Sequence, residues 1–145
     1  MTAEEIRAAV RSFPNCSASG LDGLRPQHLK DLLSLQNETE EKLAEALASL
    51  TNLMLRGEVP EATRQRLYGA TLMPLSKKDG GIRPIAVGNT IRRLVGKVVS
   101  RRVTDLMGQH LRPRQLGFGT KGGAEAAVHA TRGFLLEETG AQKSF

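Results

Sequence analysis

The chain has 145 residues, 39% hydrophobic and 25% charged, with a formal net charge of +6, a globular composition of a length that suits one domain or part of something larger. A lone Cys16 excludes an internal disulfide framework, and three scattered histidines (His28, His110, His129) exclude a zinc module. No apolar run approaches the roughly 18 residues of a membrane span and the N-terminus lacks a signal peptide's pattern, so the expectation is a soluble intracellular protein, nuclear or cytoplasmic, with no membrane partner.

Thr2-Ala-Glu-Glu5 reads as a capping box that opens a short helix with Ile6, Ala9, Val10 and Phe13 on one side. Pro14 to Gly23 is a loop of small and turn-forming residues. Leu24 to Leu35 predicts a second helix, with Pro26 near its first turn, where a missing N–H costs nothing. Asn37 and Glu40 suggest another cap, followed by a helix through Leu43, Leu47, Leu50 and Met54 that Gly57 closes. Pro60 to Tyr68 is a further short helix. The period then changes. Ala70 to Ser76 and Ile82 to Val87 are β-like runs flanking Lys77-Lys78-Asp79-Gly80-Gly81, and together they predict a hairpin. Pro74 and Pro84 cannot donate to a ladder, which suits a two-stranded ribbon with exposed edges. Thr90 is expected to cap a long helix through Ile91, Leu94, Val95, Val98, Val103 and Leu106. Pro113 follows it, and Gly117 to Gly123 links to a final helix over Ala124 to Glu138. The fold class expected is α+β, mostly helical with a β-hairpin.

Charge is unevenly placed. Between Arg64 and Lys121 stand thirteen basic residues and two acids, Asp79 and Asp105, so this block carries +11 and the rest of the chain −5. Such a one-signed block is a footprint for a polyanion, or else a solvated helix face. Arg93, Lys97 and Arg101 recur at intervals of four with no acid between them, and like charges so spaced destabilise a helix unless something neutralises them. Phosphate contact is the favoured explanation.

At the hairpin tip, Lys77 and Lys78 precede the turn and Arg83 follows it. A two-residue Asp79-Gly80 turn would put Lys77 and Arg83 on opposite faces. A three-residue loop with Gly81 left-handed would set them directly opposite on one face, where a bridging polyphosphate would relieve their repulsion. The ordinary alternative is a surface hairpin with solvated lysines. Gly117-Phe-Gly-Thr-Lys-Gly122 spells G-x-G-x-x-G, but Arg112-Pro-Arg-Gln before it is no strand, so a dinucleotide fold is rejected. Asp22 is expected to bond local backbone in a turn. No nucleophile–base triad and no converging carboxylates are recognisable, so the expectation is catalytic residues none and metal ligands none.

Four segments carry a resemblance: Ser19-Gly-Leu-Asp-Gly-Leu-Arg-Pro-Gln-His-Leu, Met73-Pro-Leu-Ser-Lys-Lys-Asp-Gly-Gly-Ile-Arg-Pro-Ile-Ala-Val, Arg92-Arg-Leu-Val-Gly-Lys and Gln115-Leu-Gly-Phe. In this order and at this spacing they resemble reverse transcriptases of non-LTR, LINE-like retrotransposons, over about Phe13 to Leu136. Each motif alone is weak; the ordered set is specific. The resemblance implies the fingers subdomain of a right-hand polymerase, with the palm sheet largely absent. Residues 1–69 would form a helical N-terminal part, 70–88 the finger hairpin, and 89–145 the basic helix, glycine-rich link and helix leading to the palm.

By motif position, the resemblance assigns Lys77 and Arg83 to the triphosphate of an incoming dNTP. It places the helix bearing Arg92, Arg93, Lys97 and Arg101 near template backbone. Asp22, Gln115, Gly117 and Phe118 match signature positions, the last three near template or primer. It also implies an RNA template, a DNA primer and, in the complete enzyme, magnesium. The family's two aspartate motifs, Asp-x-x-x-x-Phe and an aromatic-Ala-Asp-Asp turn, are not in this sequence, and Ser19 stands where proline is common. The expectation is therefore a nucleotidyltransferase fragment that binds no metal and does not polymerise alone. The alternative is a non-catalytic nucleic-acid-binding remnant of a retroelement. Apolar faces that a palm would cover are expected to remain exposed, available to that palm or to self-association.

Overall fold

The computed structural model describes residues 1–35, 37–118 and 120–141, and the chain divides into two compact units, Met1 to Val99 and Ser100 onward. Gly119, the middle glycine of the G-x-G-x-x-G run, and the four residues after Ala141 lie outside the described residues. The fold is α+β and mostly helical. Its elements are α1 (Ala3–Arg11), α2 (Pro26–Leu32), α3 (Glu38–Leu55), α4 (Glu61–Tyr68), β1 (Ala70–Ser76), β2 (Ile82–Gly88), α5 (Thr90–Leu111) and α6 (Gly123–Ala141). No helix among the described residues is long and apolar enough to cross a membrane.

Local signals set the ends of the early helices. Thr2 and Glu5 form the capping box of α1, the Thr2 hydroxyl accepting from the Glu5 N–H and the Glu5 carboxylate accepting from the Thr2 N–H at 2.8 Å. Pro26 is the first residue of α2. Asn37 caps α3 by accepting the Glu40 N–H at 2.9 Å, and Gly57 follows it with φ +74°, the left-handed stop that glycine adopts without penalty. The aliphatic positions of these helices then meet in the first unit. Ile6, Val10, Phe13, Leu29, Leu47, Leu94 and Val98 make one buried cluster, and Met54, Val59 and Val95 make a second. Fully burying a residue such as Ile6 or Leu94 stabilises the unit by roughly 1.5–3 kcal/mol.

The start of α5 differs from expectation. Thr90 is not its cap: Asn89 accepts the Ile91 N–H at 2.8 Å, while the buried Thr90 hydroxyl donates to the Leu24 carbonyl. A long-range partner took the threonine, and the preceding asparagine, an equally good cap, took its place.

In the second unit, α6 starts where Gly122 takes φ +69° and Gly123 lies against the Leu116 carbonyl. A Cβ on Gly123 would fall 1.8 Å from that oxygen, so only glycine fits there.

Candidate functional site

β1 and β2 pair antiparallel with Leu75 opposite Arg83 and Ser76 opposite Ile82. The connection is a turn in which Gly80 N–H bonds the Lys77 carbonyl at 3.1 Å, Lys77 N–H bonds the Gly81 carbonyl at 2.8 Å, and Gly80 has φ +80°. The loop has three residues, as one of the two expected registers had it, but it lies one position earlier. Gly80 is left-handed rather than Gly81, and Lys77 faces Gly81 instead of Arg83. The reason is local. The bulge takes the Gly81 N–H out of the ladder, and the Asp79 carboxylate accepts it at 3.2 Å.

The shift keeps the two cations on one face. Side chains alternate along a strand, so Lys77 shares a side with Leu75, whose partner is Arg83. Lys77 and Arg83 are therefore diagonal neighbours, typically separated by roughly 7–8 Å, not directly opposed. Both line a concavity of about 500 Å³ with Leu75, Ser76, Lys78 and Asp79. Three cations and one carboxylate surround it, and that carboxylate is turned into its own loop. A larger apolar cavity of about 790 Å³, lined by Leu50, Leu53, Val59 and Leu67, lies elsewhere in the unit. Charge rather than volume is what an anionic ligand requires, so the hairpin tip is the candidate site.

The cations of α5 have more specific partners than a solvated face or a bound polyanion would need. Arg92 donates to the Tyr68 carbonyl at 2.8 Å, with its guanidinium 6.0 Å from the Tyr68 ring. Arg93 donates to the Ala18 carbonyl and the Thr90 hydroxyl, and its buried Nε has no partner among the described residues. Lys97 donates to the Ser12 carbonyl at 3.3 Å, at the C-terminal end of α1, where a cation complements the helix dipole. Arg93 and Lys97 also lie over the buried Phe13 ring, at 5.7 and 4.9 Å from its centroid. The missing acids are thus replaced by carbonyls and a ring from distant sequence. Arg101, in the second unit, is exposed.

Asp22 bonds its own turn, accepting the Leu24 N–H at 3.1 Å, and its second oxygen accepts from Asn89 Nδ2 at 2.9 Å. Sequence reasoning missed Asn89; the only signal was an asparagine just before an apolar helical run. In the second unit, Gln115 accepts the Gly117 N–H at 2.7 Å through its own side chain, and Phe118 is partly exposed. Among the described residues no group of three or more His, Cys, Asp or Glu side chains could hold a metal ion.

No protein-family model and no curated protein matches the chain.

Proposed function

We propose that the chain is the fingers portion of an RNA-directed DNA polymerase of the non-LTR retrotransposon kind, with Lys77 and Arg83 gripping the triphosphate of an incoming dNTP. The observation that carries this reading is that the two cations share one strand face and one concavity at the hairpin tip. A guanidinium offers a planar fork to two phosphate oxygens, and an ammonium offers a compact charge beside it. Their mutual repulsion in the empty protein falls when a multiply charged anion sits between them.

The exposed Arg101 is the better candidate for template backbone, because Arg92, Arg93 and Lys97 already hold carbonyls and lie over the Tyr68 or Phe13 ring. RNA template and DNA primer are the partners this reading requires, and Gln115, Gly117 and Phe118 would lie near one of them. The family's magnesium is held by converging carboxylates, and the described residues do not fit that ion.

Hydrogen bonds to charged groups contribute roughly 1.5–3 kcal/mol each, so Lys77→Ala or Arg83→Ala is expected to weaken dNTP binding by about tenfold or more. The double variant is expected to abolish it in calorimetric titration. Unchanged dNTP affinity in that variant, with only a shallower salt dependence of RNA binding, would instead favour the nucleic-acid-binding remnant.

A further inference from the structure

Every residue from Leu72 to Gly80 and from Ile82 to Ala86 is exposed, so the hairpin projects from the first unit and is governed by its root. Both strands are held there. At the foot of β1, Arg92 bonds the Tyr68 carbonyl and lies over its ring. At the foot of β2, Gly20 packs so closely that a Cβ on it would come 2.7 Å from the Asn89 Cα. Asp22 adds the polar clamp. One carboxylate oxygen secures its own turn through Leu24 N–H, and the other accepts from Asn89 Nδ2. The remaining end of that amide, Oδ1, accepts the N–H of Ile91 in the first turn of α5. Asn89 is buried, and both of its polar ends are used.

We propose that Asp22 is a positioning residue: paired with Asn89, it sets the angle at which the hairpin leaves the body and hence where Lys77 and Arg83 stand. A seven-residue strand extends about 23 Å, so a 10° change at its root moves the tip by roughly 4 Å. That displacement is larger than the tolerance of a charged hydrogen bond. The part of this inference that concerns triphosphate rests on the function proposed above; the hinge itself does not.

The test exchanges the acid and the amide in the 145-residue chain. With Cys16→Ser as background, spin labels are placed at Ser76→Cys near the tip and Glu45→Cys on α3, and pulsed dipolar spectroscopy reads the distance between them. Asn89→Asp sets two carboxylates against each other, and the distance distribution is expected to shift or broaden by several ångströms. Asp22→Asn, which keeps an acceptor for Leu24 N–H, is expected to do so less and remains usable if Asn89→Asp loses its helical circular dichroism. The double exchange restores one amide facing one carboxylate and is expected to restore the distribution. Inorganic tripolyphosphate serves as the ligand probe: affinity is expected to fall about tenfold in Asn89→Asp and return in the double exchange. A distance distribution indifferent to the single exchanges, or one that the double exchange does not restore, overturns the proposal. Restored distances with no tripolyphosphate binding in the unaltered chain support the hinge and sink the nucleotide reading beneath it.

Discussion

At Glu40 one carboxylate joins two helices. Arg7 of α1 donates Nε to Oε1 at 2.7 Å and a second N–H to Oε2 at 3.3 Å, and both side chains are largely shielded, at 18% and 11% exposure. The hydrogen bonds from Arg7 hold the Glu40 carboxyl below its ordinary value of 4.5, and the same contact raises Arg7. A carboxyl that is more acidic in the folded state stabilises the fold above its unfolded value and loses that contribution as pH falls through the folded one. The urea midpoint is therefore expected to fall as the solution is acidified below about pH 4.5. Glu40→Gln should flatten that part of the acid limb while lowering the midpoint near neutrality. A Glu40→Gln chain with an unchanged acid limb would remove the pair from the account.

At the scale of elements, the hairpin register explains its two prolines. Lys77 points its N–H inward to the Gly81 carbonyl, so residues at odd positions of β1 face the ladder and Pro74 faces outward. Pro84, directly opposite Pro74, faces outward on the other edge. Neither removes a ladder bond, and each leaves an edge without a donor at mid-strand. Replacing both by threonine should keep the hairpin but make association through its edges concentration-dependent in light scattering. Equal scattering from the two chains would show that the prolines guard nothing. The N-terminal half of α5 is bound to α1 in a different way. Arg93 and Lys97 both lie over the Phe13 ring, and the carbonyl next to it holds the lysine, so these cations join secondary elements within the fold.

Over the whole molecule, apolar surface is distributed unevenly. Leu72 and Ile82, on the hairpin face opposite Lys77, are 70% and 69% exposed, and Leu106, Phe134 and Leu136 are also open. Patches of this kind mark surfaces that partners cover. Self-association at tens of micromolar is expected in sedimentation, weakened by Leu72→Ser with Ile82→Ser. A strictly monomeric chain that fails to bind a hydrophobic dye would refute it. The helices and the hairpin are legible in the sequence, because Thr2, Asn37, Gly57 and the Lys77–Gly81 turn act through neighbours a few residues away. The candidate site was legible in part. Lys77 and Arg83 were identifiable from charge beside a turn, but their register hinged on whether Gly80 or Gly81 took the left-handed conformation, and the Asp79 side chain decided it.

Sequence by itself determined the order and kind of elements, the two-stranded ribbon and the concentration of positive charge, since periodicity, capping and turn chemistry are properties of short windows. Tertiary structure alone decided what the charges on α5 and in the early loop do. Lys97 finds Ser12, Arg93 finds Ala18 and Asp22 finds Asn89 across 85, 75 and 67 positions of chain. Such pairings arise only when apolar packing has brought distant helices together, so spacing along the chain carries no record of them.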